Sequence, residues 1–326
     1  MKKFKLPGTD LESTRIALGC MTMGRKWDNE PLDEEAKKNA IITIRTALEE
    51  GINFFDHADI YTMGKSEEAF SYIWKEVPGL RDKIILQSKC GIRFSNDPKE
   101  GFPQRYDFSY DHIINSVEKI LERLKTDHLD ILLLHRPDAL VEPEEVAKAF
   151  DRLQEQGKVR YFGISNHTGM QIDLLKKYVR QPLVVNQMEL NILHSDLIES
   201  GIITNQRKPA HQVRGEGTME YCRLNNIAIQ AWSPLAQGLL TGKPASEDSE
   251  TVENTYRIIK QMAQDKNVSP EAIAIAWILR HPAKIQPIVG TTNPERIRAC
   301  AEADDVELSR EDWYTLFTAG RGAMVP

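Results

Sequence analysis

Short apolar, β-branched runs alternate with longer stretches of helical period along nearly the whole chain, and that alternation predicts a parallel sheet covered by helices. The class is α/β. The compact runs lie at 15–19, 53–56, 84–89, 131–135, 161–164, 184–187, 228–232 and 288–289, each bounded by turn or polar residues. Helical spacing fills 33–50, 67–77, 110–124, 143–156, 169–178, 217–225, 251–265 and 269–281, with 294–303 and 309–318 after the last strand. Eight strands with their helices close into a (β/α)8 TIM barrel, whose active site lies at the C-terminal strand ends. Asp33 stands ahead of one helix, Gly51 and Gly157 just after others, and Ser269-Pro270 reads as N-cap and first helical residue. No linker, low-complexity tract or short repeat divides the sequence, so a single domain over 1–326 is expected. The connections 90–109, 191–215 and 233–250 are longer than a barrel needs, and loops of that length are often lids or binding loops.

The 326 residues are 41% hydrophobic, 28% charged and 7% aromatic, which supplies a large core and excludes disordered, collagen-like and disulfide-scaffold classes. With 42 basic against 48 acidic residues the net charge is -6, so the charge balance offers nothing to a nucleic-acid backbone. The opening MKKFKLPGTD has no apolar stretch after its lysines, unlike a secretory signal, and no run of about 18 apolar residues occurs to span a membrane. Cys20, Cys90, Cys222 and Cys300 lie far apart with no C-x-x-C pair, as expected of reduced thiols in a cytoplasmic protein.

Polar side chains at three consecutive strand ends carry the chemistry. Asp56 ends the run NFFD with Tyr61 five residues on, Lys89 ends IILQSK, and His135 ends ILLLH. A charge after such an apolar run is costly unless it faces the barrel mouth. Singly, Asp56 reads equally well as a cap or ion-pair partner, and Tyr61 as packing. Together the four make a proton donor. A phenol titrates near 10, and a neighbouring ammonium lowers that value by favouring the phenolate. Lys89 would supply that cation, Asp56 would hold it, and His135 would donate a hydrogen bond to a carbonyl beside Tyr61. No G-x-S-x-G nucleophile is present, and a hydride from a bound cofactor would complete the reaction.

With these residues in place, the sequence resembles the aldo-keto reductase superfamily, in particular its bacterial cytosolic oxidoreductases. GINFFDHADIY with Gly64, Ser66 and Glu67 is similar to that family's G-x-N-x-x-D-x-A-x-x-Y-G-x-S-E signature. The resemblance runs through ALGCMTMG, SKCGI, LLLHRPD, GKVRYFGISN, NQMELN and QAWSPLAQGLL to the ERI helix. It implies an NADPH-dependent reduction of an aldehyde or ketone, with NADH as the alternative cofactor. Tyr61 would be the general acid, Lys89 and Asp56 its partners, and His135 the residue that orients the carbonyl. Ser165, Asn166 and Gln187 match the contacts to the nicotinamide carboxamide, and Trp232 matches the aromatic on which the ring stacks. Ser233, Leu235 and Gly238 match contacts to the pyrophosphate. Thr291, Thr292 and Arg296 would hold the adenosine 2′-phosphate at a helix N-terminus.

Three positions depart from the pattern: Gly290 stands where a lysine often binds that phosphate, Cys300 replaces the adenine-contacting Asn, and His57 follows the catalytic Asp in place of Thr. The reading favoured for His57 is packing. The substrate pocket is expected among the long loops, with Trp27, Phe94, Phe102, Tyr106 and Trp232. Rival readings are a metal-dependent barrel hydrolase on Asp56, Asp59, His135 and Asp138, which lacks H-x-H and H-E-x-x-H, and a Schiff-base aldolase on Lys89. A nicotinamide-binding regulatory subunit is the non-enzyme alternative, against which the intact Asp56, Tyr61, Lys89 and His135 set argues.

Overall fold

A computed structural model describes residues 1–203, 216–245 and 250–326. An antiparallel hairpin of β1 (Lys3–Lys5) and β2 (Glu12–Thr14) precedes the strands expected from the sequence. These begin with β3 (Ala17–Gly19), β4 (Phe54–Asp56) and β5 (Ile85–Cys90). A second small hairpin, β6 (Ile92–Arg93) with β7 (Arg105–Tyr106), occupies the long loop after β5. The series continues with β8 (Leu129–Leu134), β9 (Val159–Ser165), β10 (Leu183–Glu189), β11 (Ala228–Trp232) and β12 (Gln286–Val289). The barrel closes in chain order, from β3 through β12 and back to β3, with every pairing parallel. The fold is the (β/α)8 barrel that the alternation predicts.

Local chemistry explains the boundaries. Asp33 accepts from the Ala36 N–H to open the helix Glu34–Glu49, and Ser269 accepts from Ala272 N–H ahead of Pro270. Helix Tyr110–Leu124 buries Ile113, Ser116, Val117, Ile120, Leu121 and Leu124, the three-and-four spacing of a single apolar face, and stops at Lys125 in the left-handed region. β5 and β8 are buried along their whole length on both faces, as strands enclosed between a barrel interior and a helical shell must be.

The interior of the barrel is divided. Leu6 and Leu11 of the first hairpin pack against Ala17, Phe54, Ile85, Ile131, Val185, Ala228 and Ile288, residues at or near the strand beginnings, so the hairpin plugs the N-terminal mouth. Above that apolar floor the same inward faces turn polar. Along β5 the period-two face runs Ile85, Gln87, Lys89, from plug to open end.

Several expectations shift. The strand drawn at 131–135 ends at Leu134, leaving His135 just beyond it. The helix drawn at 67–77 begins at Lys65 and is divided into Lys65–Ser71 and Ile73–Glu76, because Gly64 in the left-handed region sets its start. Both hairpins escape sequence reading, since their two- and three-residue strands KFK, EST, IR and RY lack the apolar run that marks the equally short β3 and β4. The connection drawn at 191–215 holds a helix at Asp196–Ile202, and 204–215 lie outside the described residues. In 233–250 a 3-10 turn spans Ala236–Thr241, and 246–249 lie outside them. Among the described residues no helix is long and apolar enough to cross a membrane.

Candidate active site

The C-terminal ends of β4 and β5 bring Asp56 and Lys89 together at the barrel mouth. Lys89 is wholly buried, and its ammonium donates to Asp56 Oδ2 at 2.8 Å, the His57 carbonyl at 2.7 Å and the Tyr61 hydroxyl at 3.1 Å. Three donors meet three oxygens, so the cation has one stable position. The Tyr61 ring lies under the same ammonium, 4.8 Å from its centroid. The His135 ring stands edge-on to Tyr61 at 6.0 Å, with Nδ1 buried and without a partner. All four residues singled out at the strand ends therefore share one site.

Electrostatics modifies the expectation for the phenol. Burial raises Tyr61 above the ordinary phenol value and Lys89 pulls it only part of the way back. Desolvation outweighs the cation, so the net direction is upward, opposite to that expected from Lys89 alone, and Tyr61 stays protonated at neutral pH. Burial pulls Lys89 down, but the Asp56 carboxylate and the Tyr61 oxygen outweigh it and keep the ammonium charged. Burial, with Lys89 and Arg136 nearby, drives His135 well below the usual histidine range, so its ring is neutral.

His57 enters through its backbone. Its ring packs edge-on against Phe70 at 4.8 Å with neither nitrogen hydrogen-bonded, and burial with the Lys89 charge pushes it down to about 3. Its ring is neutral at working pH, and its carbonyl is what Lys89 touches.

The loop that delivers Tyr61 is folded tightly and clamped from behind. Thr62, Met63 and Gly64 follow one another with φ of 48°, 60° and 87°. A Cβ on Gly64 would lie 2.8 Å from Arg123 Cδ, so only glycine fits against that side chain. Arg123 in turn donates from Nε and Nη2 to Glu67 Oε2 at 2.8 and 2.7 Å, while Ser88 Oγ donates to Glu67 Oε1 at 2.7 Å. Burial raises the fully enclosed Glu67, and Arg123 and Ser88 counter that.

Asp59, on the same loop, has an Oδ1 shut off from solvent without a partner. Burial and the Glu67 charge push its carboxyl up from 3.8 to about 8. The folded protein therefore holds a proton that the unfolded chain releases, and stability falls as pH rises through that window. Asp59→Asn should flatten the dependence: its urea midpoint should exceed that of the native protein near pH 8, by less near pH 5, and match it only below about pH 4. A parallel pH dependence in both proteins would show that Asp59 is not the group responsible.

The residues matched to a nicotinamide group form a hydrogen-bonded string. Ser165 Oγ donates to the Gln187 carbonyl at 2.9 Å, Asn166 Nδ2 donates to Ser165 Oγ at 2.7 Å, and Trp232 Nε1 donates to Asn166 Oδ1 at 3.2 Å. The Gln187 amide nitrogen is committed inward, to Asp56 Oδ1 at 3.1 Å and Gln230 Oε1 at 3.1 Å. Ser233, Ala236, Gln237 and Gly238 all have positive φ, a concentration of strained backbone in the segment matched to a pyrophosphate. The Gly238 N–H bonds the Leu235 carbonyl at 2.9 Å, so it is not free to meet a phosphate. At the last strand end, Asn293 Oδ1 already accepts from the Glu295 and Arg296 N–H groups, while Arg296 itself is exposed. Thr43 Oγ1 ties this loop to the first helix through the Thr292 carbonyl at 3.1 Å. Gly290 has open space where a side chain would begin, and Cys300 is fully buried in the core.

Gln87, Gln230 and the Glu67–Arg123 clamp were not singled out by the sequence argument. A glutamine inside IILQSK or AIQAW is itself a signal, because a buried strand admits an amide only where a partner is waiting. Among the pocket aromatics, Trp27 and Phe94 meet edge-on at 6.5 Å, and Arg136 lies over the Trp232 ring at 5.3 Å.

Comparison with known proteins bears on this geometry. The model of the Aldo/keto reductase family matches residues 15–319, and the chain belongs to that family, as a nicotinamide-dependent oxidoreductase of carbonyl groups. It is 36% identical to a 6-dehydroglucose reductase of Agrobacterium fabrum over 97% of both chains. It is 35% identical to the oxidoreductase YdhF of Escherichia coli, over 87% of this chain and 88% of that one. In fold it is similar to a glycerol dehydrogenase of Gluconobacter oxydans, with a TM-score of 0.79 at 24% identity over 97% of this chain and 94% of the other.

Proposed function

We propose that the protein reduces an aldehyde or ketone to the alcohol with NADPH, and that Tyr61 donates the proton. The observation that carries this reading is the Lys89 ammonium, fixed between Asp56, the His57 carbonyl and the Tyr61 hydroxyl. A phenol still protonated at neutral pH, with a cation on its oxygen, can release its proton as negative charge develops on a carbonyl oxygen beside it. Neutral His135 carries one ring N–H to orient that oxygen. NADPH supplies the hydride when bound.

The surrounding residues suit that cofactor. With its amide nitrogen engaged inward, Gln187 leaves Oε1 to accept from a carboxamide NH2, and Ser165 and Asn166 flank the same position. Trp232, fixed by Asn166, offers a ring face for the nicotinamide. Ser233 Oγ and the Leu235 N–H take the pyrophosphate contact. Because Asn293 already caps its helix, a 2′-phosphate would rely on the Thr291 and Thr292 hydroxyls and the Arg296 guanidinium rather than on bare helix N–H groups.

The test begins with fluorescence titration by NADPH and NADH, followed by nicotinamide absorbance with a panel of aldehydes, ketones and quinones. The names of two relatives, both 6-dehydroglucose reductases, support including polyhydroxylated aldehydes. Binding and turnover are expected, and failure to bind either nucleotide would sink the reading. Arg296→Ala should weaken NADPH about tenfold and leave NADH nearly unchanged. Gly290→Lys, for which the structure has room, should tighten NADPH by about the same factor. Equal effects on the two nucleotides would remove the phosphate role from both positions.

A further inference from the structure

Beneath the four residues at the mouth, four glutamines form one hydrogen-bonded column down the barrel. Gln286 Nε2 donates to Ser13 Oγ at 2.8 Å and to the Thr14 carbonyl at 2.7 Å, at the plugged end. Gln286 Oε1 accepts from Gln230 Nε2 at 2.9 Å. Gln230 Oε1 accepts from Gln87 Nε2 at 2.8 Å and from Gln187 Nε2 at 3.1 Å. The same two nitrogens donate to Asp56 Oδ1, at 2.7 and 3.1 Å. None of the four glutamines is more than 2% exposed.

We propose that this column positions the catalytic aspartate: the Thr14 carbonyl at the barrel floor dictates the sense of every amide above it, so that Asp56 Oδ1 meets only N–H donors and Oδ2 is left to Lys89. A carbonyl only accepts, so Gln286 must turn its NH2 to the floor and its oxygen upward. The Ser13 hydroxyl donates to the same carbonyl at 3.1 Å and so also accepts from Gln286. Gln230 must then donate downward and accept from above. Gln87 and Gln187 must both present NH2 groups to it, and the second hydrogen of each reaches Asp56. Gln87 Oε1 is buried without a partner in the observed arrangement, and reversing any one amide would add to that a contact of oxygen against oxygen, a larger cost. Gln87, Gln230 and Gln286 are thus positioning residues, acting on Tyr61 through Asp56 and Lys89.

The inference rests on the reading of Tyr61 as proton donor, and its test separates the two. In the full-length enzyme Gln87→Met removes an N–H from Asp56 at similar volume, and Gln230→Met breaks the column without touching Asp56. The expected result is a fall in kcat of about tenfold for the first and a smaller fall for the second, with KM for the carbonyl unchanged in both and Kd for NADPH unchanged in Gln87→Met. Gln87→Glu gives a signature that a purely structural role would not. Only its protonated form carries a donor, and burial beside the Asp56 charge resists its ionisation, so its kcat profile should move to lower pH. The other charged or titratable groups facing the pair are Lys89, Tyr61, the raised Cys20 thiol and the neutral His57. Native kcat in both methionine variants, or an unshifted profile for Gln87→Glu, would overturn the proposal.

A second measurement does not depend on turnover. Hydrogen exchange of glutamine side-chain amides, followed by NMR, should find these four protected, with Gln87 and Gln187 exchanging faster in Gln230→Met. Unprotected or unchanged amides would remove the column even in an active enzyme. Protected amides in a protein that reduces no carbonyl would instead remove the role of Tyr61 and leave the column standing.

Discussion

Tyr61→Phe should lower carbonyl reduction by about 10²- to 10⁴-fold while NADPH binding stays near native, because the change deletes one hydroxyl and keeps the ring. Among the described groups that touch the Lys89 ammonium, the phenol is the one proposed to give up a proton. Lys89 is held charged, and His135 is driven so far down that it has no second proton to lose. Lys89→Met should act in the same sense, through loss of the cation on the Tyr61 oxygen and release of Asp56. Because Tyr61 lies above the ordinary phenol value and His135 well below the histidine one, neither should impose a limb on the reduction rate between about pH 6 and 9. Stopped-flow single turnover with a fixed aldehyde reads the chemical step directly. Undiminished rates in Tyr61→Phe would require a different acid.

The second large effect is on stability. Arg123→Met should destabilise the fold by about 3 kcal/mol, since it leaves the wholly buried Glu67 carboxylate with Ser88 alone. Glu67 already lies above its ordinary value, and without Arg123 it would hold a proton to still higher pH. A carboxyl raised in the folded state lowers stability as pH rises. The deficit of the variant should therefore be larger near pH 8 than near pH 5, as urea midpoints would show. An equal deficit at both would point to lost packing against Gly64 instead. The Tyr61 loop rests on this clamp, so the variant should also weaken turnover through misplacement of the phenol.

Much of the molecule is legible in the sequence because local chemistry specifies it. Most of each barrel strand is an apolar run enclosed between interior and helices, and the caps at Asp33 and Ser269 follow from one side-chain oxygen meeting the N–H of the third helical residue. Asp56, Lys89 and His135 stand out for the same reason, each an ionisable group at the end of such a run. What was not legible depends on pairs far apart in the chain. Glu67 and Arg123 lie 56 residues apart, and Gln87 meets Gln230 across 143. The two hairpins are not legible because their short strands are polar or mixed and carry no apolar run.

The sequence by itself determined the class, the eight strands and the identity of the groups at their ends, since apolar periodicity and residue chemistry are local properties of the chain. The tertiary structure alone decided how those groups behave. Desolvation leaves Tyr61 raised rather than lowered by its lysine, and burial keeps the His57 ring neutral, so that its carbonyl and not its ring meets Lys89. A carbonyl at the barrel floor orients a column of amides that no spacing in the sequence announces. Solvent exclusion and hydrogen-bond direction arise only when distant strands close around one axis, which is why the fold and not the order of residues sets them.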